Sequence, residues 1–513
     1  MGRAKEYRQR LKYQVTSARK KTLESLLAVQ FAEELGMSET EARLLAYRTS
    51  RWILNQPDVR GPNQILFDAV SGRESFTRRY KILKKIRLTP YNVEDLDLEL
   101  EFGLSTMQAG RIFRLIEEAY RQDALLSARQ LTMLCNITPA SLRCRLAGLR
   151  REGIWLPVAG LSRTERERGG QLRSAWALAR YLDGQSLVEI RQTAALSRET
   201  FRHLLSRFSH VARLILGGRF MPRDPEEAAW TTIVQAVPEK KLLPLLDEPG
   251  IPASAEDWAS FRTELEADFA LSPVKLRAVR DIAGEILDTL SAGRPDGDVV
   301  YWAVTSSEPA GKPLEACRLV PVTLTLYDPG DVPAPNIDRD INRLSDIKFK
   351  KILRYATQAK HGGGYLTYAD LGYLLGIHPE AISRLVRSNP QLAVPLRGAE
   401  CDIGRGVTHR KKIIQLYLEM HTETEIAART GHSYEAIENY IKEFAAVLVL
   451  AERGLTAPLI RRVIGRSVKL INTYLELIRE YSGPEYAFRF HHLRKIFQTH
   501  EDELKKSLRG VKL

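Results

Sequence analysis

Four short segments of this 513-residue chain place arginine, asparagine, serine or threonine side chains at the start of an amphipathic helical pattern. Arginine can pair bidentately with guanine and asparagine with adenine, and each pair discriminates against other bases by about 1–3 kcal/mol. The second helix of a helix-turn-helix presents its first outward residues to base edges in the major groove of DNA. The candidate DNA-contacting residues are therefore Ser141, Arg143, Arg145, Arg150, Arg198, Thr200, Arg202, Ser383, Arg384, Arg387, Tyr434, Asn439 and Lys442.

The spacing around each segment is that of a helix-turn-helix, in which two helices pack across a tight turn. A small residue stands at the turn, and apolar residues lie five and one positions before it and one, six and nine positions after it; around Gly376 these are Leu371, Leu375, Ile377, Ile382 and Leu385. The same spacing surrounds Gly431, Ala195 and, with its last apolar residue displaced by one position, Asn136. Weaker matches are centred on Gly36, Gly103 and Gly465. Any one match can be imitated by a helical hairpin, so the prediction rests on the recurrence.

The chain is basic, with 77 Lys or Arg, 63 Asp or Glu and a formal net charge of +14. The positive residues cluster in three blocks, at 3–21, 73–87 and 143–151. Clustered positive charge favours a polyanion partner, because each phosphate contact releases condensed counterions. Solvated helix faces would give the same composition, so charge alone separates neither DNA from structured RNA nor either from no nucleic acid.

Composition and motifs disfavour several other classes of protein. The longest apolar run, Phe444 to Ala451, is too short to cross a bilayer, and the charged N-terminus lacks the apolar core of a signal peptide. The four scattered cysteines argue against a disulfide framework and a cysteine zinc site. No phosphate-binding loop and no ligand spacing of histidines is found. We therefore expect a cytoplasmic protein with no membrane partner, no enzymatic activity, no metal and no cofactor.

The sequence also contains an internal duplication. A shift of 240 residues aligns 111–142 with 351–382 without a gap, and the identities fall on core and turn positions such as Pro139 and Pro379. A shift of 236 residues aligns a second block, in which Ser197 matches Ser433 and each is expected to cap a helix. Between the blocks, GIWLPVAG (153–160) and QLAVPLRG (391–398) are extended enough to form a wing. Each copy is predicted to be a long helix, a winged helix-turn-helix and a second helix-turn-helix.

These patterns predict a mainly α fold, with tandem winged helix-turn-helix units in two duplicated halves and a small α/β insertion. Residues 91–220 and 341–452 form the two copies, and basic 1–90 and C-terminal 453–513 form helical regions with weaker helix-turn-helix matches. The insertion, 221–340, contains a helix over 271–290 and two strands that suggest a β-hairpin. We expect it to be a spacer or dimerisation domain, with an effector or protein ligand as the less favoured alternative.

Three stretches of the chain are similar to one known family. They are LTYADLGYLLGIHPEAISRLV (366–386), DIGRGVTHRKKIIQLYLEMHTETEIAARTGHSYEAIENYIKEFAAVLVL (402–450) and YWAVTSSEPAGKPLEACRLVPVTLTL (301–326). Together they resemble an uncharacterised prokaryotic family, domain of unknown function 1670. The resemblance implies helix-turn-helix content and no established activity. The segment around Gly431 is also similar to helix-turn-helix units of resolvases, transposases and sigma-like regulators, and that generic similarity carries over no catalytic residue.

The sequence therefore favours a sequence-specific or architectural double-stranded DNA-binding protein, either a transcriptional regulator or an accessory factor of a mobile element. Lysine and arginine blocks would anchor phosphates, and one or more second helices would read bases. Two tandem units could follow the groove over a long site without a dimer, although a homodimer is also open. Two alternatives stand: a recombinase or transposase subunit, which predicts metal-dependent cleavage, and a protein-interaction scaffold, which predicts little affinity for a duplex.

Overall fold

The computed structural model describes residues 2–72, 82–159, 171–218, 220–246, 257–291, 293–308, 312, 317–331, 341–389, 391–400, 407–430, 434–466 and 468–509. Contacts divide the chain into two compact units, Met1–Ala303 with Leu319–Val394, and Val304–Arg318 with Pro395–Leu513. Helices dominate and the sheets are small, which confirms the mainly α fold. Within the described ranges, no helix combines the length and the apolarity that a membrane crossing needs.

The first unit opens with α1 (Gly2–Lys20) and a pair of helices, α2 (Leu23–Leu35) and α3 (Glu39–Leu54). Gly36 ends α2 with a φ of +60°, a conformation that favours glycine, and Ser38 and Glu41 form a capping box at the start of α3. An antiparallel hairpin of β1 (Ile65–Ser71) and β2 (Leu83–Leu88) follows, and β1 also pairs with β3 (Ala124–Ser127). Between β2 and β3 lie α4 (Glu94–Phe102) and α5 (Leu104–Arg121).

The first predicted helix-turn-helix follows β3 directly. It consists of α6 (Ala128–Cys135) and α7 (Pro139–Arg151), joined at Asn136 in the left-handed conformation with φ +54°. Further elements of this region are β4 (Ile154–Trp155), β5 (Val158–Ala159), β6 (Gln171–Leu172), α8 (Arg173–Leu182), α9 (Leu187–Ala194), α10 (Arg198–Leu216), α11 (Pro225–Ala236) and α12 (Glu239–Leu246). The segment predicted as a wing supplies β4 and β5, which pair in parallel with β6 and β3 rather than with each other.

The region predicted as an α/β insertion has the expected helix and hairpin. It contains α13 (Trp258–Phe269), α14 (Pro273–Ser291), β7 (Asp298–Thr305) and β8 (Leu319–Thr325). Hydrogen bonds from Thr305 N to Arg318 O and from Leu326 N to Gly297 O show that β7 and β8 run antiparallel. The chain continues through α15 (Ile341–His361), β9 (Gly364–Tyr365) and a second helix-turn-helix, α16 (Tyr368–Leu375) and α17 (Pro379–Arg387).

The second unit has a helical core of its own, in which Phe444, Tyr474 and Leu493 are among the buried side chains. Its helices are α18 (Arg397–Glu400), α19 (Val407–Leu418), α20 (Glu423–Thr430), α21 (Tyr434–Glu452), α22 (Ala457–Ile464), α23 (Val468–Glu480) and α24 (Ala487–Arg509). The turn predicted around Gly431, between α20 and α21, lies outside the described residues.

Backbone positions with positive φ recur along the chain at similar offsets, between 234 and 240 residues. Asp123 and Asn136 in the first copy match Gly363 and Gly376, each pair 240 residues apart, and all four have positive φ. Further matched positions with positive φ are Gly184 with Met420, Gly218 with Gly454, and Gly36 with Ala270. Because non-glycine residues rarely adopt this conformation, shared positions indicate a shared backbone path. The repeat therefore starts earlier than the sequence identities indicate: α13, α14 and the β7–β8 hairpin correspond to α2, α3 and the β1–β2 hairpin.

The two copies contact each other reciprocally within the first unit. Leu66 N donates to Asp296 O at 2.7 Å, and the equivalent Val300 N donates to Pro62 O at 2.8 Å. Arg60 donates to Arg294 O, and the equivalent Arg294 donates to Arg60 O. The rings of Phe67 and Tyr327 are in contact, and the equivalent rings of Tyr301 and Tyr91 are in contact as well. At a two-fold interface, a contact from a residue of one copy to a residue of the other is repeated with the two copies exchanged. The two copies therefore form an intramolecular pseudo-dimer.

Candidate nucleic-acid interface

The first helix-turn-helix is held by caps and a small apolar core. Ser127 and Gln130 form a capping box on α6, and Thr138 Oγ1 accepts from Ser141 N at 3.1 Å at the start of α7. Leu131, Leu142 and Leu146 are buried, as the spacing predicted. The outward face of α7 is thereby fixed relative to its core.

That outward face carries Arg143 and Arg150, both exposed, with Ser141 half-buried beside them. No acidic residue stands in the first turn of α7. Arg145 has a different position: its guanidinium donates to Ser105 O at 2.5 Å and to Gln108 Oε1 at 2.7 Å, and burial lowers its pKa. Arg145 thus ties α7 to α5, and Arg143 is the arginine that α7 presents in its second turn.

The second helix-turn-helix repeats the cap and the turn, but Glu380 stands in the first turn of α17, where α7 has no acidic residue. Thr367 and Asp370 form the capping box of α16, and Gly376 has a φ of +67° at the turn. Arg384 and Arg387 are exposed on α17, and Ser383 is half-buried. Among the described residues, no carboxylate forms an ion pair with Arg143, Arg384 or Arg387.

The helix-turn-helix of α9 and α10 has carboxylates beside its arginines and at its helix N-terminus. Arg198, with 82% of its side chain exposed, lies 3.4 Å from Glu101, and Arg202 pairs with Glu199. Ser197 caps α10 as predicted, but Ser197 and Thr200 both donate their hydroxyls to Glu94. A helix N-terminus is where phosphate would bind, and the Glu94 carboxylate already occupies it. Thr200 is therefore engaged inside the protein, and Arg198 and Arg202 each have a carboxylate within ion-pair distance, in exposed pairs that are weak.

The candidates of the second unit lie on α21. Tyr434 and Asn439 are exposed, and Lys442 pairs with Glu438 at 3.1 Å one turn away. Ser433, which was expected to cap this helix, lies outside the described residues. Among the described residues, the exposed face of α21 carries both acidic and basic side chains and no cluster of arginines.

The basic blocks are less free than their sequence indicates. Lys21 is buried and lies 2.5 Å from the Asp370 carboxylate, which also accepts from the Tyr301 hydroxyl. Arg19 pairs with Asp97, and Lys85 with Asp296. Residues 73–81 of the second block lie outside the described residues. Lys21, which was predicted to anchor phosphate as part of the first block, is buried, and its ammonium joins the end of α1 to α16.

Charged residues are buried at the pseudo-two-fold interface, and the site predicted from the sequence did not include them. Arg111 Nη2 donates to Tyr373 O at 2.6 Å, and the equivalent Lys351 Nζ donates to Met133 O at 3.2 Å. Asn136, at the turn of the first helix-turn-helix, donates to Leu375 O at the turn of the second. The signal was available, because the shift of 240 residues places a basic residue at both 111 and 351 within otherwise apolar helical patterns.

The electrostatics of the two equivalent positions differ. Asp95 is fully buried; burial opposes its ionisation, but Arg114 and Arg111 outweigh that cost and lower its pKa. Lys351 is bonded to Met133 O and Asn136 Oδ1, and burial lowers its pKa to about 8. One copy holds its buried cation with a carboxylate, and the other with neutral oxygens.

The protein is thus a mainly helical chain in which two duplicated helix-turn-helix units meet at an internal pseudo-two-fold axis. The chain belongs to the family described as "Protein of unknown function (DUF1670)", which matches residues 46–221 and 265–477. No curated protein and no solved structure matches the chain. The family match confirms the resemblance found in the sequence.

Proposed function

We propose that the protein binds double-stranded DNA through the exposed faces of α7 and α17. The observation that carries the proposal is the contrast between the helix-turn-helix units. Arg143, Arg384 and Arg387 are exposed and form no ion pair with a carboxylate among the described residues. The arginines of α10, by contrast, are paired with Glu101 and Glu199. Unpaired arginines retain their full attraction for phosphate and for guanine edges.

The net charge of +14 supports the same polyanion. A helix enters the major groove of B-form DNA, while the deep, narrow major groove of duplex RNA does not admit side chains. A duplex reader that uses helices therefore favours DNA. Transcriptional regulation, or an accessory role on a mobile element, is the biological setting in which such binding would act.

The test is fluorescence anisotropy of the full chain with a labelled random-sequence DNA duplex over a series of salt concentrations. We expect affinity to fall as salt rises, with a slope of about 0.9 in log–log form for each phosphate contacted. A duplex RNA of equal length should bind more weakly. No binding at low salt, or binding indifferent to salt, would overturn the proposal in favour of a protein-interaction scaffold.

Three double variants locate the interface. Arg384→Ala/Arg387→Ala should weaken binding and lower the salt slope by up to about two phosphate contacts. Arg277→Ala/Arg280→Ala is the charge-matched control, because both arginines are exposed on α14 and neither forms an ion pair among the described residues. Arg198→Ala/Arg202→Ala separates the units: a loss as large as that at α17 would move the interface to α10.

A further inference from the structure

The arrangement of α7 and α17, here called the reading helices, restricts which DNA sites both can bind at once. The helix-turn-helix of α6 and α7 and that of α16 and α17 occupy equivalent positions, with the same element bounds 240 residues apart: 128–135 and 368–375. Their turns meet at the pseudo-two-fold axis, where Asn136 Nδ2 donates to Leu375 O at 3.1 Å. Copies related by translation would read a direct repeat, but copies related by a two-fold axis present their helices in opposite senses along a duplex.

The distance between the two helices is fixed by side chains that cross the interface. Arg145 of α7 donates to Gln108 Oε1 at 2.7 Å, and Gln108 Nε2 donates to Gly376 O at 2.9 Å in the turn before α17. Arg111 adds a bond to Tyr373 O from the same side. This chain of contacts connects one reading helix to the opposite helix-turn-helix, so the spacing between them has little freedom.

The two helices differ in the side chains that they expose. Position 143 carries arginine and its equivalent, 383, carries serine; position 144 carries cysteine and its equivalent, 384, carries arginine. Position 147 carries alanine and its equivalent, 387, carries arginine. Since arginine pairs with guanine through its own position on the helix, the two helices select different bases.

We propose that the bound duplex is an inverted repeat of two unequal half-sites at one spacing, with α7 in one half-site and α17 in the other. A single chain binds it in one orientation, because the half-sites are not interchangeable. This inference rests on the proposed DNA binding and adds the class of site to it. It adds an orientation to the expectation that two tandem units follow the groove over a long site without a dimer.

The experiment is in vitro selection by the full chain from a random duplex library. We expect two different half-sites in opposite orientation at constant spacing. Anisotropy then compares the selected duplex with one whose second half-site is reversed into a direct repeat and with one lengthened by five base pairs, half a turn of the helix. Both altered duplexes should bind at least tenfold more weakly.

Each outcome has a separate meaning. Enrichment of direct repeats, of a single half-site, or equal affinity for the three duplexes would overturn the inverted-repeat inference and leave DNA binding intact. Salt-dependent binding without any sequence enrichment would do the same and leave an architectural role. No duplex binding at low salt would overturn the proposed function itself.

Point variants assign the half-sites. Arg143→Ala should reduce base discrimination about ten- to a hundredfold at one position of the α7 half-site only, and Arg384→Ala should do so in the α17 half-site only. Arg277→Ala, on α14, is the control and should change neither half. Loss of discrimination in both halves from either variant would contradict the assignment of one helix to each half-site.

Discussion

The two copies of the repeat place a basic residue at the same point of their interface and stabilise it by different means. In the first copy, Arg111 lies 2.7 Å from Asp95, and the Asp95 carboxylate also binds Arg114 at 2.6 Å. In the second copy, Lys351 is held by Met133 O and Asn136 Oδ1. The equivalent carboxylate, Asp331, binds Arg354 in a bidentate pair that is less buried.

The two copies have kept one buried interaction since the duplication, and they have diverged at the residue beside it. The arginine–carboxylate pair is kept in both copies, as Arg114 with Asp95 and Arg354 with Asp331, and each arginine also donates to the backbone of a threonine, Thr89 or Thr325. The side chain at the axis has diverged from arginine to lysine. The backbone path tolerates the change because a carbonyl of the opposite copy accepts the donated hydrogen bond in either case.

Loss of the Asp95 carboxylate should have the largest effect on stability. Asp95→Asn leaves Arg111 and Arg114 without their buried counter-charge, and removal of one partner of a buried pair costs about 3–5 kcal/mol. Chemical denaturation of the full chain measures it. Asp97→Asn, on the same helix but in an exposed pair with Arg19, is the matched control and should cost less than about 1 kcal/mol.

The equivalent variant in the second copy sharpens the comparison. Asp331→Asn should cost less than Asp95→Asn, because Asp95 is fully buried and also pairs with Arg111, whose side chain is 4% exposed, whereas Asp331 is 8% exposed and pairs with Arg354. Equal costs for the two variants would mean that burial does not set the energetics of these pairs.

Replacement of Lys351 should change how stability depends on pH. The pKa of Lys351 falls from 10.5 to about 8 on folding, so between those values the unfolded chain binds more protons and stability rises with pH. Relative to Lys351→Met, the wild type should therefore gain about 3 kcal/mol as pH increases from about 8 to above 10.5.

The pH test compares denaturation curves of wild type and variant across that range. Lys350→Met changes an exposed lysine on the same helix and should give curves parallel to the wild type. If the Lys351→Met curves are also parallel, the buried ammonium is solvated in the folded protein and the interface is more open than its contacts indicate.

Much of the fold could be predicted from the sequence because its signals are local. Apolar spacing located α6, α7, α16 and α17, and alternation located the β7–β8 hairpin. The earlier start of the repeat was missed, since α2 and α13 share backbone conformation at Gly36 and Ala270 with little sequence identity. The engagement of Arg145 and Thr200 was missed as well, because Ser105 of α5 and Glu94 of α4 reach them through tertiary packing that no single-helix pattern records.

The turns of the two reading units provide the smallest and most local test. Gly376 has a φ of +67°, and a Cβ added there would lie 2.8 Å from Arg111 Nη1. Gly376→Ala should therefore cost about 1–2 kcal/mol for the left-handed backbone and a further amount for the displacement of Arg111.

Gly363→Ala isolates the backbone contribution. Gly363 has a φ of +82° in the same copy, but an added Cβ meets no atom within 4 Å, so only the backbone cost applies. The difference in denaturation midpoint between the two variants measures how tightly Arg111 presses on the opposite turn. A difference of zero would mean that Arg111 moves freely, and the fixed spacing between α7 and α17 would then lose one of its two supports.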